Sequence, residues 1–190
     1  MSNVLIDLLG ILANIVVFFF VVRFLLQASG ADFYNPISQG VVTITDPVLK
    51  PLRTLIPSVG KWDFAAIVGA IVLQGLFTYA IYSLKGQFFP GVASLVIQAL
   101  YEVLQQILTA YWLFIIISIV ASFVAPGSQH PALNLLQQII EPIMAPARRL
   151  IPPFSGLDLS PMLVFIVLII TRDSVLPQLA NAALGALAGR

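Results

Sequence analysis

Four long apolar runs divide the chain, and polar, proline-bearing stretches separate them. Val4 to Leu26 carries Asp7 near one end and Arg23 near the other, while Phe64 to Leu84 and Val103 to Val124 carry no charge at all. Each is long enough for a helix to cross the ~30 Å hydrocarbon core of a bilayer, which takes about 20 residues. Asp7 and Arg23 can reach an interface from the ends of their run, at less cost than charges in mid-membrane. The fourth run, Leu159 to Leu179, holds Arg172-Asp173 about two thirds along, with Pro177 beyond as a helix end or kink. Adjacent residues on an α-helix point about 100° apart, so this dipeptide is not a facing pair of the i,i+4 kind. Either it marks the membrane surface beyond a tilted or short span, or it lies inside the bundle against other helices or a polar cavity.

The intervening segments predict smaller elements. Lys85 to Glu102 contains the breakers Gly86, Pro90 and Gly91, and Val92 to Leu100 either extends the third span or lies along the interface. The tail after Asn181 reads as frayed or interfacial. Leu133, Leu136, Ile140 and Ile143 recur at helical spacing with Asn134, Gln137, Gln138 and Glu141 between them; Ile37, Val41, Val42 and Ile44 form a weaker version. Such stretches suit helices lying in the interface plane. Pro47 and Pro51, or Pro142 and Pro146, are then expected to break or kink them, because each removes an amide donor.

The two amphipathic stretches belong to an internal repeat. Asp46 to Asp63 reads DPVLKPLRTLIPSVGKWD, and Glu141 to Asp158 reads EPIMAPARRLIPPFSGLD. Pro47, Pro51, Arg53, Leu55, Ile56, Pro57 and Asp63 recur as Pro142, Pro146, Arg148, Leu150, Ile151, Pro152 and Asp158, each pair 95 residues apart without a gap. Pro36 and Pro131 keep the same spacing. The chain therefore divides into units 1–95 and 96–190, each a span, a proline-rich segment and a second span. A unit with two spans returns to its starting side, so the copies insert in parallel and are expected to relate by a pseudo-two-fold axis along the membrane normal.

Composition removes most other readings. With 59% apolar and 9% charged residues and a mean hydropathy of +1.02, the chain cannot cover a water-facing surface. It is an all-α membrane protein with the lipid bilayer as its main partner. A net charge of +1 excludes the basic footprint that nucleic acid demands, and the absence of cysteine excludes disulfides and thiol chemistry. Met1-Ser2-Asn3 lacks the basic region of a cleaved signal, so the first apolar run reads as a retained span. No nucleophile-elbow, phosphate-loop, dinucleotide or zinc-protease pattern occurs, so neither enzymatic chemistry nor a cofactor is expected. Lys50, Arg53, Lys61, Arg148 and Arg149 lie in the proline-rich segments, against Lys85, Arg190 and, if exposed, Arg172 opposite, which places those segments in the cytoplasm and the termini outside.

Within the repeat, Arg53 and Arg148 stand where a guanidinium can meet lipid phosphate or an internal carboxylate. Asp63 and Asp158 precede the next span as N-caps, with Ser160-Pro161 as a further N-cap and first-turn pair. These residues are turn formers, anchor and cap, or else a functional surface. His130 aligns with Asn35 and reads as a polar turn residue before a proline. Glu102, Gln105, Gln106 and Thr109 share one helical face, which could line a polar pathway or serve interhelical hydrogen bonds. Phe18, Phe19, Phe20, Phe88, Phe89, Tyr111 and Trp112 read mostly as lipid-facing or belt residues.

The pattern resembles the YggT family of small bacterial and plastid membrane proteins over nearly the whole chain. Its carriers are Arg23, Asn35-Pro36, Pro47, Pro51, Arg53, Pro57 and Asp63, then Pro142, Pro146, Arg148-Arg149, Pro152, Asp158, Ser160 and Pro161. Thr54 departs from a second basic residue, Ala65-Ala66 from Ser-Pro, and Ser118 takes the place of Arg23 in the second copy. The resemblance implies a bacterial inner-membrane or thylakoid protein without established catalysis, with roles in complex assembly, cell division or nucleoid organisation, or osmotic and ion homeostasis. The leading expectation is a non-enzymatic scaffold or assembly factor acting through the repeated Pro-Arg segments on a membrane-protein partner. The alternative is a small channel or transporter in osmotic or cation balance, working as a homo-oligomer, with Arg23, Glu102, Arg172 and Asp173 as its intramembrane polar residues.

Overall fold

The computed structural model describes residues 2–60, 62–87, 91–125, 127–151 and 158–188; Lys61, Phe88, Phe89, Pro90, Pro152 and Arg190 lie outside them. The elements are α1 (Ser2–Ser29), α2 (Pro36–Leu55), α3 (Phe64–Leu84), α4 (Val92–Val124), α5 (Pro131–Leu150), α6 (Ser160–Ile170), a π-helical turn (Thr171–Val175) and α7 (Leu176–Ala188). Among the described residues, four helical stretches are long and apolar enough to cross a membrane: Val4–Ser29, Phe64–Leu84, Val92–Val124 and Ser160–Leu187. The protein is an all-α membrane protein.

Val92 to Leu100 extends the third span, giving a helix of 33 residues. At 1.5 Å per residue that is about 50 Å, so its ends project beyond the hydrocarbon. The tail is helical as well, continuing through Pro177 to Ala188. The π turn just before Pro177 explains why the helix survives there. Leu176 N–H bonds back to Thr171 O, five residues away, and the next donor in that register would be Pro177, which has none. Gln105 of α4 donates to the carbonyl this leaves, Arg172 O, at 2.7 Å.

α1 is the centre of the bundle and packs on α2, α3, α4 and α5. The main core joins Val17, Phe20, Val21, Leu25 and Leu26 of α1 to Leu49, Ala66, Val103 and Leu135. A smaller core holds Ile115, Ile140, Met144, Ala147, Val164 and Leu168. Several aromatics expected at the lipid boundary pack inward instead. Phe20 is buried, Phe18 meets Phe114 edge-on at 6.4 Å, and Trp112 pairs with Phe165 at 5.6 Å. A bundle whose backbones are rigid rods needs large side chains to fill the gaps between them.

The repeats do not close a two-fold. α3 packs on α4, but among the described residues α1 makes no equivalent approach to α6 or α7. A Cβ on Gly75 would meet Ala99 Cβ at 3.7 Å, so α3 and α4 lie close at this point. The residues 95 positions away are Ile170 and Val4, both exposed and too bulky for the same approach. The joint between repeats is thus heterologous, formed once.

Candidate functional site

The proline-rich segments form continuous helices. α2 runs through Pro47 and Pro51, and α5 through Pro142 and Pro146, where a break or kink was expected. Each proline deprives the carbonyl four residues earlier of its donor, which affects Thr43, Pro47, Gln138 and Pro142. All four residues are exposed, as are Pro51 and Pro146, so water or headgroups can reach the freed carbonyls. Spacing of four keeps both rings on that one face. Pro57 follows the C-cap Ile56 and prevents continuation of α2.

The inward faces differ in part from the predicted stripes. α2 buries Ser38, Val41, Thr45 and Leu49, while Ile37 and Ile44 face outward. α5 buries Leu135, Ile139, Ile140, Met144 and Ala147, with Leu133, Leu136 and Ile143 at the flank. Local hydropathy located the helices, but their rotation is set by the spans beneath. At the N-termini, Asn35 Oδ1 accepts from Ile37 N–H at 3.0 Å, and His130 Nδ1 accepts from Ala132 N–H at 3.2 Å. Asn35 also donates through Nδ2 to Pro131 O at 2.8 Å, and Gln138 Oε1 accepts from Asp32 N–H at 2.8 Å. α2 and α5 are therefore tied to one another by bonds that span 96 and 106 residues of sequence.

Each helix is also tied to its following span. Arg53 pairs with Asp63, which is fully buried and caps α3 by accepting from Ala66 N–H at 3.2 Å. In the second repeat, Arg148 Nε pairs with Asp158 at 3.2 Å and its Nη1 with both Glu141 oxygens at 2.8 and 2.9 Å. Burial pushes the Asp158 carboxyl up, but hydrogen bonds from Ser160 and Arg148 outweigh it and hold the group below the usual carboxylate range. Asp158 accepts from Ser160 N–H at 2.9 Å; the N-cap is Leu159, not Ser160. Ser160 is fully buried and donates through Oγ to Ile151 O at 3.2 Å, joining the end of α5 to α6. Its role as a tie was not visible in a Ser-Pro dipeptide that fits a helix start equally well. Among the described residues, the exposed cations of this face are Lys50, paired with Asp46 at 3.3 Å, and Arg149.

Arg23 is buried near the end of α1, its guanidinium 4.8 Å from the centre of the Phe33 ring. Its Nε and Nη1, and Oδ1 of nearby Asp46, are buried without a hydrogen-bond partner among the described residues. A second polar centre lies deeper. Glu102 accepts from Gln74 Nε2, from Thr78 Oγ1 at 3.0 Å and from Gln98 Nε2 at 2.8 Å. Gln74 and Thr78 lie about 15 and 21 Å along α3 from its start, at 1.5 Å per residue, so Glu102 meets α3 well away from its ends. It has no ion-pair partner among the described residues. The predicted polar face of α4 fans out from there. Gln106 donates to Asn14 of α1 at 3.2 Å, and Gln105 reaches Arg172 O. With Phe18 and Tyr101 these residues line a groove of about 580 Å³. Gln74, Thr78 and Asn14 were not singled out from sequence, where single polar residues in apolar runs carry no label of depth or partner.

Arg172 and Asp173 form a two-bonded pair at 2.7 and 3.0 Å, contrary to the expectation from an α-helical angle. They sit on the π turn, whose wider winding brings neighbours closer in angle. Arg172 also lies over the Trp112 ring at 5.4 Å.

The CCB3/YggT family model matches residues 2–84 and again 97–179. An uncharacterized protein of Pseudomonas aeruginosa is 38% identical over 95% of this chain and 92% of its own length. An uncharacterized protein of Vibrio alginolyticus is 35% identical over 96% and 94%, and uncharacterized YggT of Escherichia coli K12 is 34% identical over 91% and 89%. No solved structure matches.

Proposed function

The chain belongs to the CCB3/YggT family, and we propose that it is a non-enzymatic scaffold presenting α2 and α5 as one platform on the cytoplasmic face of a bacterial inner membrane. One observation carries this reading. Both helices are bound to each other and to the following spans through their inner faces, while their proline faces stay exposed. The motif arginines and aspartates build the platform, so partner contact falls to its outer residues. A platform fixed before binding loses little entropy when a membrane-protein partner docks. Photocrosslinking in the membrane from probes at Lys50 and Arg149 tests it. A reproducible second protein at both positions is the expected result. Adducts to lipid alone, with the complexes of the cell unchanged in the Arg53→Ala/Arg148→Ala chain, would overturn it.

The Glu102 centre supports a second reading, a small channel or transporter. A carboxylate within the hydrocarbon, held by three neutral donors, is a site for a passing cation or proton. Four spans enclose no wide pore, so this reading requires a homo-oligomer. It predicts cation flux in liposomes that Glu102→Gln abolishes; equal flux in both proteins would exclude it.

A further inference from the structure

The first repeat places a cation where the second places a hydroxyl. Arg23 and Phe33 stack in the first, and the guanidinium feels the charges of Arg53, Asp46 and Asp63. Ninety-five residues on, Ser118 stands for Arg23 and Ser128 for Phe33, whereas Glu141, Arg148 and Asp158 preserve the charges of Asp46, Arg53 and Asp63. Replacing a guanidinium and a ring by two hydroxymethyl groups leaves room. A cavity of about 400 Å³ is lined by Ser118, Ser122, Ser128, Asn134 and Gln137. A second, of about 350 Å³, is lined by Ser118, Ser122, Phe123, Met144, Arg148 and Asp158. Ser118 and Ser122 border both.

The charge differs as the volume does. Arg23 adds a cation beside Asp46, Arg53 and Asp63, while Glu141, Arg148 and Asp158 have only the uncharged Ser118 at the matching position. Both carboxylates are more than a third exposed, and each keeps acceptor capacity beyond the bonds it makes to Arg148 and Ser160. Ile115, Ile119 and Met144 supply an apolar wall behind the hydroxyls.

We infer that the second repeat binds a small alkyl cation here, a guanidinium or primary ammonium group, which takes the place that Arg23 occupies in the first. Its head lies between Ser118, Ser122 and Asp158, and its stem lies along the apolar wall. An anion is disfavoured because Arg148, the cation lining the cavity, is already matched by two carboxylates. The same ammonium chemistry is available from a dissolved amine or from a phosphatidylethanolamine headgroup. The inference stands apart from the scaffold reading, since it concerns the cavity beside Ser118 and not the proline face of the platform.

The test uses the full chain in nanodiscs of phosphatidylcholine and phosphatidylglycerol, titrated with ethylguanidinium or ethanolamine against equal sodium chloride and urea. The wild-type chain is expected to bind saturably and to unfold at a higher temperature. Ser118→Arg should unfold no earlier than the unliganded wild type and should not respond. Ser118→Met fills the space without charge and should abolish the response, which covers the case of a misfolded arginine variant. Asp158→Asn should weaken binding about tenfold, the scale of one charged hydrogen bond. Substituting phosphatidylethanolamine for phosphatidylcholine should suppress the response to added cation if the headgroup is the occupant, and leave it intact if a dissolved amine is. No saturable response in the wild type, or an equal response in Ser118→Met, would overturn the inference.

Discussion

In the first repeat Asp63 is fully buried and its partner Arg53 is 29% exposed at the side chain, whereas Asp158 and Arg148 of the second are 36% and 39% exposed. The shared motif residues are the same, and in each copy the proline-bearing helix packs on its following span. What differs is cover. Trp62 packs on Phe24 at 6.0 Å beside Asp63, and Arg23 adds a buried cation; in the second repeat Leu157, Ile119 and Ser118 stand at the positions of Trp62, Phe24 and Arg23. A shared ion pair thus has a different worth in each copy, because the attraction between charges and the cost of leaving one alone both rise as water is excluded.

The comparison can be broken first at the buried carboxylate. Asp63→Asn should cost on the order of 3 kcal/mol, since it leaves Arg53 and Arg23 without their dry counter-charge. Asp158→Asn should cost about 1 kcal/mol or less, as exposed pairs do. Unfolding of the two purified variants side by side measures the difference; equal losses would mean that cover is irrelevant.

A smaller effect is expected at Gly69, where a Cβ would stand 3.3 Å from Leu52 and 3.4 Å from Leu49 and Phe20. The second repeat has Val164 at the matching position. Gly69→Val, which imports that residue, should cost about 2 kcal/mol by overpacking. Unaltered stability in thermal unfolding would show that α2 can lift away from α3 freely.

Gln105→Leu removes the donor to Arg172 O and should cost about 1 kcal/mol. Pro177→Ala restores a backbone donor in the π register, so the loss should shrink in the double variant, as a double-mutant cycle would report. Additive losses would mean that the two groups do not serve the same carbonyl.

The smallest effect is a pH dependence at Asp158 of the second repeat. Because Asp158 is held below its ordinary value of about 3.9, its contribution is complete above that pH and fades as pH falls through the lowered one. Stability should decline in acid below about pH 4, and Asp158→Asn should flatten that part of the profile. An unchanged profile would assign the acid loss to other carboxylates.

Much of the architecture was legible because its signals are local. The lengths of the apolar runs mark the spans, and the identities at a spacing of 95 residues mark the repeat without reference to any fold. Asn35 and His130, which read only as polar turn residues before Pro36 and Pro131, prove to cap the starts of α2 and α5. The prolines misled because a missing donor is costly only where the freed carbonyl is dry, and exposure is not a local property. Arg172-Asp173 misled because the angle between neighbours depends on the winding, which here changes ahead of Pro177.

By itself the sequence determined that this is an all-α membrane protein with two copies of one span–interfacial helix–span unit, and which residues the copies share. Only the tertiary structure decided which copy keeps its ion pair dry, where Glu102 finds its donors, and why the joint between α3 and α4 forms once. Those outcomes depend on contacts between residues far apart in the chain. Small residues at Gly75 and Ala99 let two backbones meet, and Ser118 leaves open a space that Arg23 fills.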